Sequence, residues 1–180
     1  MSLERKNIRA KVATILGTPA IPGIGAVFPS RQSRVAPEEM PCILVYTKSE
    51  SAEEAIAAPR QYRRTLKLVT EIVRIDVSAT PVDDFLDTVA DEIEQRLFKN
   101  ETLDGLASDT KLSDTEIDFI TDAENEIGFC RLTFDVTYWT NAPREIPDLD
   151  AFERYQSTVK VKGSTPETPP MVDETELPQV

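Results

Sequence analysis

Three sets of carboxylates are spaced closely enough to suggest acid–base work: Asp83 with Asp84, Asp91 with Glu94, and Asp114 with Glu116 and Asp118. Such chemistry needs two acids converging in a cleft with separated pKa values. These sets instead run along helix and strand faces that read as exposed, where carboxylates serve solvation. Histidine is absent. Nucleophile–histidine pairs are therefore excluded, and two cysteines cannot assemble the usual nitrogen and sulfur zinc site. Cys42 and Cys130 each sit inside an apolar run and read as buried, reduced thiols. Gly23 and Gly25 in "AIPGIGAVF" lack the third glycine and the preceding strand of a dinucleotide site, so they read as a turn entering a strand. No phosphate loop or paired-metal signature is present. These readings imply no catalytic residues, no cofactor and no metal.

Charge narrows the partners. The 180 residues carry a formal net charge of -12, which disfavours nucleic acid and anionic membranes. No run of 18 apolar residues occurs, so no membrane span is expected, and Met1–Ala10 lacks the apolar stretch of a secretory signal. Against that acidity, "RQYRRTLKLVTEIVRID", residues 60 to 76, gathers Arg60, Arg63, Arg64, Lys67 and Arg74, five of the 20 lysines and arginines.

The elements around that stretch follow from periodicity. Residues 2–16 read as a helix capped by Ser2, with Ile8, Val12, Ile15 and Leu16 on one stripe. Ala26–Phe28 is a short strand and "CILVYT", 42–47, a strand covered on both faces. "SRQSRVAPEEMP" and "KSESAEEAIAAP" read as loops. Residues 60–76 alternate as one long strand, buried in its C-terminal half and projecting a basic first half. Thr80 caps a helix over 81–99, with Val82, Phe85, Leu86, Val89, Ile93, Leu97 and Phe98 inward and Asp84, Asp87 and Asp91 outward. Leu103 and Leu106 of the following turn are expected to cap the core. Strands at 115–121 and 129–140 follow, the second with Cys130, Leu132, Phe134, Val136 and Tyr138 facing in. The sum is an α+β domain over 1–140: a mostly antiparallel sheet, two helices on one face and a long projecting strand. Residues 141–180, with "STPETPPMVDETELPQ", read as a proline-rich acidic extension without a packed element, either flexible or ordered on assembly.

In this order the elements resemble the tail terminator (tail completion) proteins of long-tailed bacteriophages and prophages. The resemblance spans about residues 3–140 and rests on "LERKNIRAKVATIL", "AVFPSR", "MPCILVYTKSE", "RRTLKLVTEIVRI", "PVDDFLDTVADEIEQRLFKNETLDGL" and "FCRLTFDVTYWT" taken together. It implies a structural virion protein, assembled in the bacterial cytoplasm. Such a protein closes into a hexameric ring on a finished tail tube, stops polymerisation of the tail tube protein and presents a surface to the head–tail connector, without catalysis. The residues add one independent point. A basic strand and an acidic helix face are complementary head to tail, and a heterologous contact that closes gives a ring. The expected interface is Arg31, Arg34, Tyr62, Arg63, Arg64 and Lys67 against Asp84, Asp87 and Asp91 of the next copy, with Tyr62, Val69, Phe129 and Trp139 as exposed apolar contacts. The basic face could equally be solvated or pair with acids of its own chain. Other readings are another tail or neck assembly module, an acidic enzyme, or a mimic of DNA.

Overall fold

The computed structural model describes residues 3–30, 35–75, 81–122, 125–142, 154–159 and 171–176. The chain divides into two compact units, Met1–Ala142 and Pro143–Val180. In the first, helix α1 (Leu3–Gly17) leads to β1 (Ala26–Pro29), β2 (Cys42–Ala57) and β3 (Arg60–Ile75); helix α2 (Val82–Lys99) then precedes β4 (Asp109–Asp122) and β5 (Asn125–Asn141). The five strands form one sheet in the order β1-β2-β3-β5-β4. Only β1 and β2 run parallel; the remaining neighbours are antiparallel. This is an α+β fold. In the second unit β6 (Arg154–Val159) pairs antiparallel with β7 (Met171–Glu176), so the extension holds a hairpin where the sequence suggested no element.

One sheet face and both helices enclose the core. Ile8, Val12 and Leu16 of α1 and Leu86, Val89, Ile93 and Leu97 of α2 pack on Ile43, Leu66, Leu68, Ile72, Leu132 and Phe134. Burying each such side chain contributes about 1.5–3 kcal/mol. The inward row of β5, Cys130 through Tyr138, is buried throughout. Gly128 continues that row, and its missing side chain matters: a Cβ there would lie 2.4 Å from Val82 and 3.1 Å from Leu86. The first turn of α2 can approach β5 only because nothing projects from residue 128. Gly23, in the turn before β1, has φ 82 and faces Phe85 across a gap that a Cβ would close to 2.8 Å. Both cysteines are free and buried, and burial pushes the Cys130 thiol up to about 11.

Arg96 joins the helices. Its side chain pairs with Glu92 at 2.7 Å and donates to the carbonyls of Ile15 and Leu16 at 3.3 and 3.1 Å. α1 has no basic residue in its own last turn, so α2 supplies the positive charge that its carbonyl end favours.

Several expectations need correction. "KSESAEEAIA" is strand, not loop: β2 runs to Ala57 and pairs with β3 as far as Arg60. Its outer half is polar because that part of the sheet has no core beneath it, so no apolar alternation is left to read. β4 begins at Asp109 rather than 115 because a bulge between Leu112 and Asp114 reverses the phase. Thr110 and Leu112 face inward before the bulge, Ile117 and Phe119 after it. Phe98 and Leu106 are exposed rather than packed, whereas Leu103 is fully buried. Ser2 and Thr80, expected as caps, lie outside the described residues.

Candidate subunit interface

Beyond the helices the sheet continues as a three-stranded arm. The outer half of β2 pairs with Arg60–Leu66 of β3, and Gln61–Leu66 pair in turn with Val136–Asn141 of β5. The turn at Ala58–Pro59 closes its end. Residues Ser51–Arg60 are all exposed. At ~3.3 Å per residue, the six residues outside the core extend about 20 Å.

The basic residues of β3 divide between the two faces of this arm. Arg63 and Lys67 lie on the face away from the helices, opposite Trp139 and Asp135. Tyr62 and Arg64 lie on the helix side, with the Arg64 guanidinium 5.9 Å from the Tyr62 ring centre. Each cation meets an acid of its own chain. Arg63 pairs with Glu53 at 2.7 Å, Arg64 with Glu50 at 2.9 Å, Arg60 with Glu54 at 3.3 Å and Lys67 with Asp135 at 2.6 Å. The arm is therefore not a bare cationic edge; of the alternatives open from sequence, pairing within the chain describes its charges.

Three of those partners, Glu50, Glu53 and Glu54, come from the segment that read as a loop. The signal for them was present as a mirror. Acids at 50, 53 and 54 face bases at 64, 63 and 60 about a centre near Ala57, which is the spacing of cross-strand neighbours in a hairpin. A bulge between Thr47 and Ser49 turns Glu50 to the helix side. There it accepts hydrogen bonds from both Arg64 and Tyr138. Burial, and then the contact with Glu50, hold the Tyr138 phenol above its ordinary value. Thr140 accepts a further bond from Arg64 at 2.8 Å. This part-buried knot sits where arm meets body.

A second network crosses the face away from the helices, from β2 to β4. The Tyr46 hydroxyl donates to Glu71 at 2.6 Å, and Arg131 reaches Glu71 and Glu116, both at 3.2 Å. Burial, followed by the hydrogen bond to Glu71, pushes the Tyr46 phenol up to about 12. Glu116, Asp118, Phe129 and Arg131 also border a shallow hollow of about 400 Å³. Its acids sit on one strand, and Arg131 pairs with Glu116 there.

The other expected interface residues are dispersed. Arg31 and Arg34 lie outside the described residues. Asp84, Asp87 and Asp91 are exposed on α2, and Asp91 accepts a bond from Gln95 at 2.7 Å. Among the apolar candidates Val69 is fully buried, Tyr62 and Phe129 are half-buried, and Trp139 is 50% exposed. Ile56, hidden from the sequence reading by its loop assignment, is 44% exposed on the arm. Among the described residues no group of three or more histidine, cysteine, aspartate or glutamate side chains is placed to hold a metal ion. No helix there is long and apolar enough to cross a membrane. Compared with models of known protein families and with curated proteins, the chain matches none.

Proposed function

We propose that the chain is a structural virion protein that closes into a hexameric ring on the end of a phage tail tube. There it halts addition of tail tube protein and presents a surface to the head–tail connector. The observation that carries this reading is the arm: a three-stranded extension that runs past the core and holds a half-exposed tryptophan, Trp139, on its outer strand β5, paired there with Arg63 of β3. The resemblance of residues 3–140 to tail terminators supplies the class of assembly. Because Arg63 and Lys67 already meet Glu53 and Asp135 of their own chain, charge contributes little between copies, and apolar contact through Trp139 and Ile56 holds them.

The test is to add the protein to polymerising tail tube protein and measure tube lengths by electron microscopy. Tubes capped early are shorter; an unchanged length distribution overturns the reading. Light scattering in the presence of tubes should detect an assembly of about six 20.1 kDa chains. Trp139→Ser should abolish that assembly while leaving the melting curve of the free chain in place.

A further inference from the structure

We propose that the outer edge of β4 is a docking site for an extended segment of a partner protein in which apolar and basic residues alternate. Among the described residues β4 is the last strand on its side of the sheet, paired with β5 alone. Its outer backbone groups form a template for strand addition. Three of the seven large apolar side chains exposed on the described surface fall within four consecutive residues here: Ile117 at 46%, Phe119 at 40% and Ile120 at 51%. The same strand carries Asp114, Glu116 and Asp118, charges that keep an edge from pairing with strands of like charge.

The two faces of this edge differ in chemistry. Phe119 lies on the α2 side, within reach of the position a side chain on Gly128 would occupy beside Val82, and Ile117 shares that side by alternation. Asp114, Glu116 and Asp118 occupy the other. Arg131 meets Glu116, whereas among the described residues no cation meets Asp114 or Asp118. A strand laid along β4 would therefore place apolar side chains beside Ile117 and Phe119, and lysine or arginine beside the acids. Opposite charges paired across strands stabilise and like charges repel.

That asymmetry also selects a partner other than a second copy. Pairing β4 with β4 would set acid against acid. The free outer edge of β2 carries Glu50, Glu53 and Glu54, and β1 is four residues long and ends at Pro29. Neither offers the cationic strand that β4 fits. The inference does not depend on the ring, and its test involves no tail tubes.

The probe is a synthetic peptide about six residues long, alternating lysine with valine, blocked at both ends and fluorescently labelled. Two controls accompany it: the same peptide methylated on alternate backbone nitrogens, and a version with glutamate for lysine. Anisotropy against the full chain at low salt should show binding of the first and binding weaker by about tenfold or more for both controls. Amide exchange at residues 113–120 should slow only with the first. Asp118→Lys combined with Ile120→Lys should remove binding without moving the melting temperature. Equal binding of the methylated peptide would reduce the effect to charge and overturn the proposal, as would protection elsewhere on the chain. If the double variant does not fold, the exchange pattern of the unaltered chain decides alone.

Discussion

From Leu66 to Ile75, β3 lies beneath helices and holds its neighbours through Leu66, Leu68 and Ile72. From Arg60 to Thr65 the same strand leaves the core, and past the part-buried Arg64–Glu50 pair its exposed side chains reach sideways to Glu53 and Glu54. Backbone pairing is continuous through both parts. Only the source of side-chain stabilisation changes, from burial with a few kcal/mol per residue to surface ion pairs worth about 0.2–1 kcal/mol each. A strand can thus be carried well past the core that nucleates it, provided its neighbours continue and the exposed rows are matched in charge. The part beyond the core is then free to evolve as a contact surface.

The contrast can be broken most forcefully in the body. Phe134→Ala removes the largest fully buried side chain and should cost about 3–5 kcal/mol in urea unfolding. A loss below 1 kcal/mol would mean that the helices do not pack on β5 as described. At the junction, Glu50→Ala leaves Arg64 and Tyr138 without their shared acceptor. The expected loss is about 1–3 kcal/mol, larger than for any arm pair, with a downward shift of the Tyr138 phenol seen by spectrophotometric titration.

Alkaline titration sharpens the same division. The folded values of Tyr46 and Cys130, about 12 and about 11, lie above the ordinary values of 10.0 and 9.0. The folded chain therefore holds these protons more tightly than the unfolded chain. Their contribution is fully present below pH 9 and is lost as pH rises through about 12. Stability should decline gradually over that window, and Phe134→Ala, starting from a lower stability, should unfold at a lower alkaline pH. The smallest effect belongs to the arm. Arg63→Ala should cost about 0.2–1 kcal/mol and less in high salt. A loss as large as that of Glu50→Ala would show that the arm is cooperative with the core.

The body was legible in the sequence because its physics is periodic. Ile8, Val12 and Leu16 recur at helical spacing, the face of α2 does the same, and Cys130–Tyr138 alternate, all because one side of each element meets apolar matter. The arm was legible only by half. β3 kept its basic alternation, but "SESAEEAIA" has water on both sides and so lost the pattern that marks a strand. Its identity lay in a relation to residues 60–64, which scanning one window at a time does not test. Bulges at Thr47–Ser49 and Leu112–Asp114 concealed the rest, since an extra residue inverts every later inside–outside assignment. The interface acids of α2 and the cations of β3 were identified by residue type alone, and residue type does not reveal that Arg60, Arg63 and Arg64 have partners six to fourteen positions away in sequence across a hairpin.

The order of the sheet has a consequence for synthesis. β5 is translated last of the five strands, yet it lies between β3 and β4. Until it emerges from the ribosome, the inward row of β3 has a neighbour on one side only. Translating the stretch from Ile75 to Asn141 takes roughly 3–13 s at bacterial rates of about 5–20 residues per second. For that interval a nascent chain displays Leu66, Leu68 and Ile72 on an unfinished hairpin, the sort of surface that chaperones bind, and closure waits on a single late insertion.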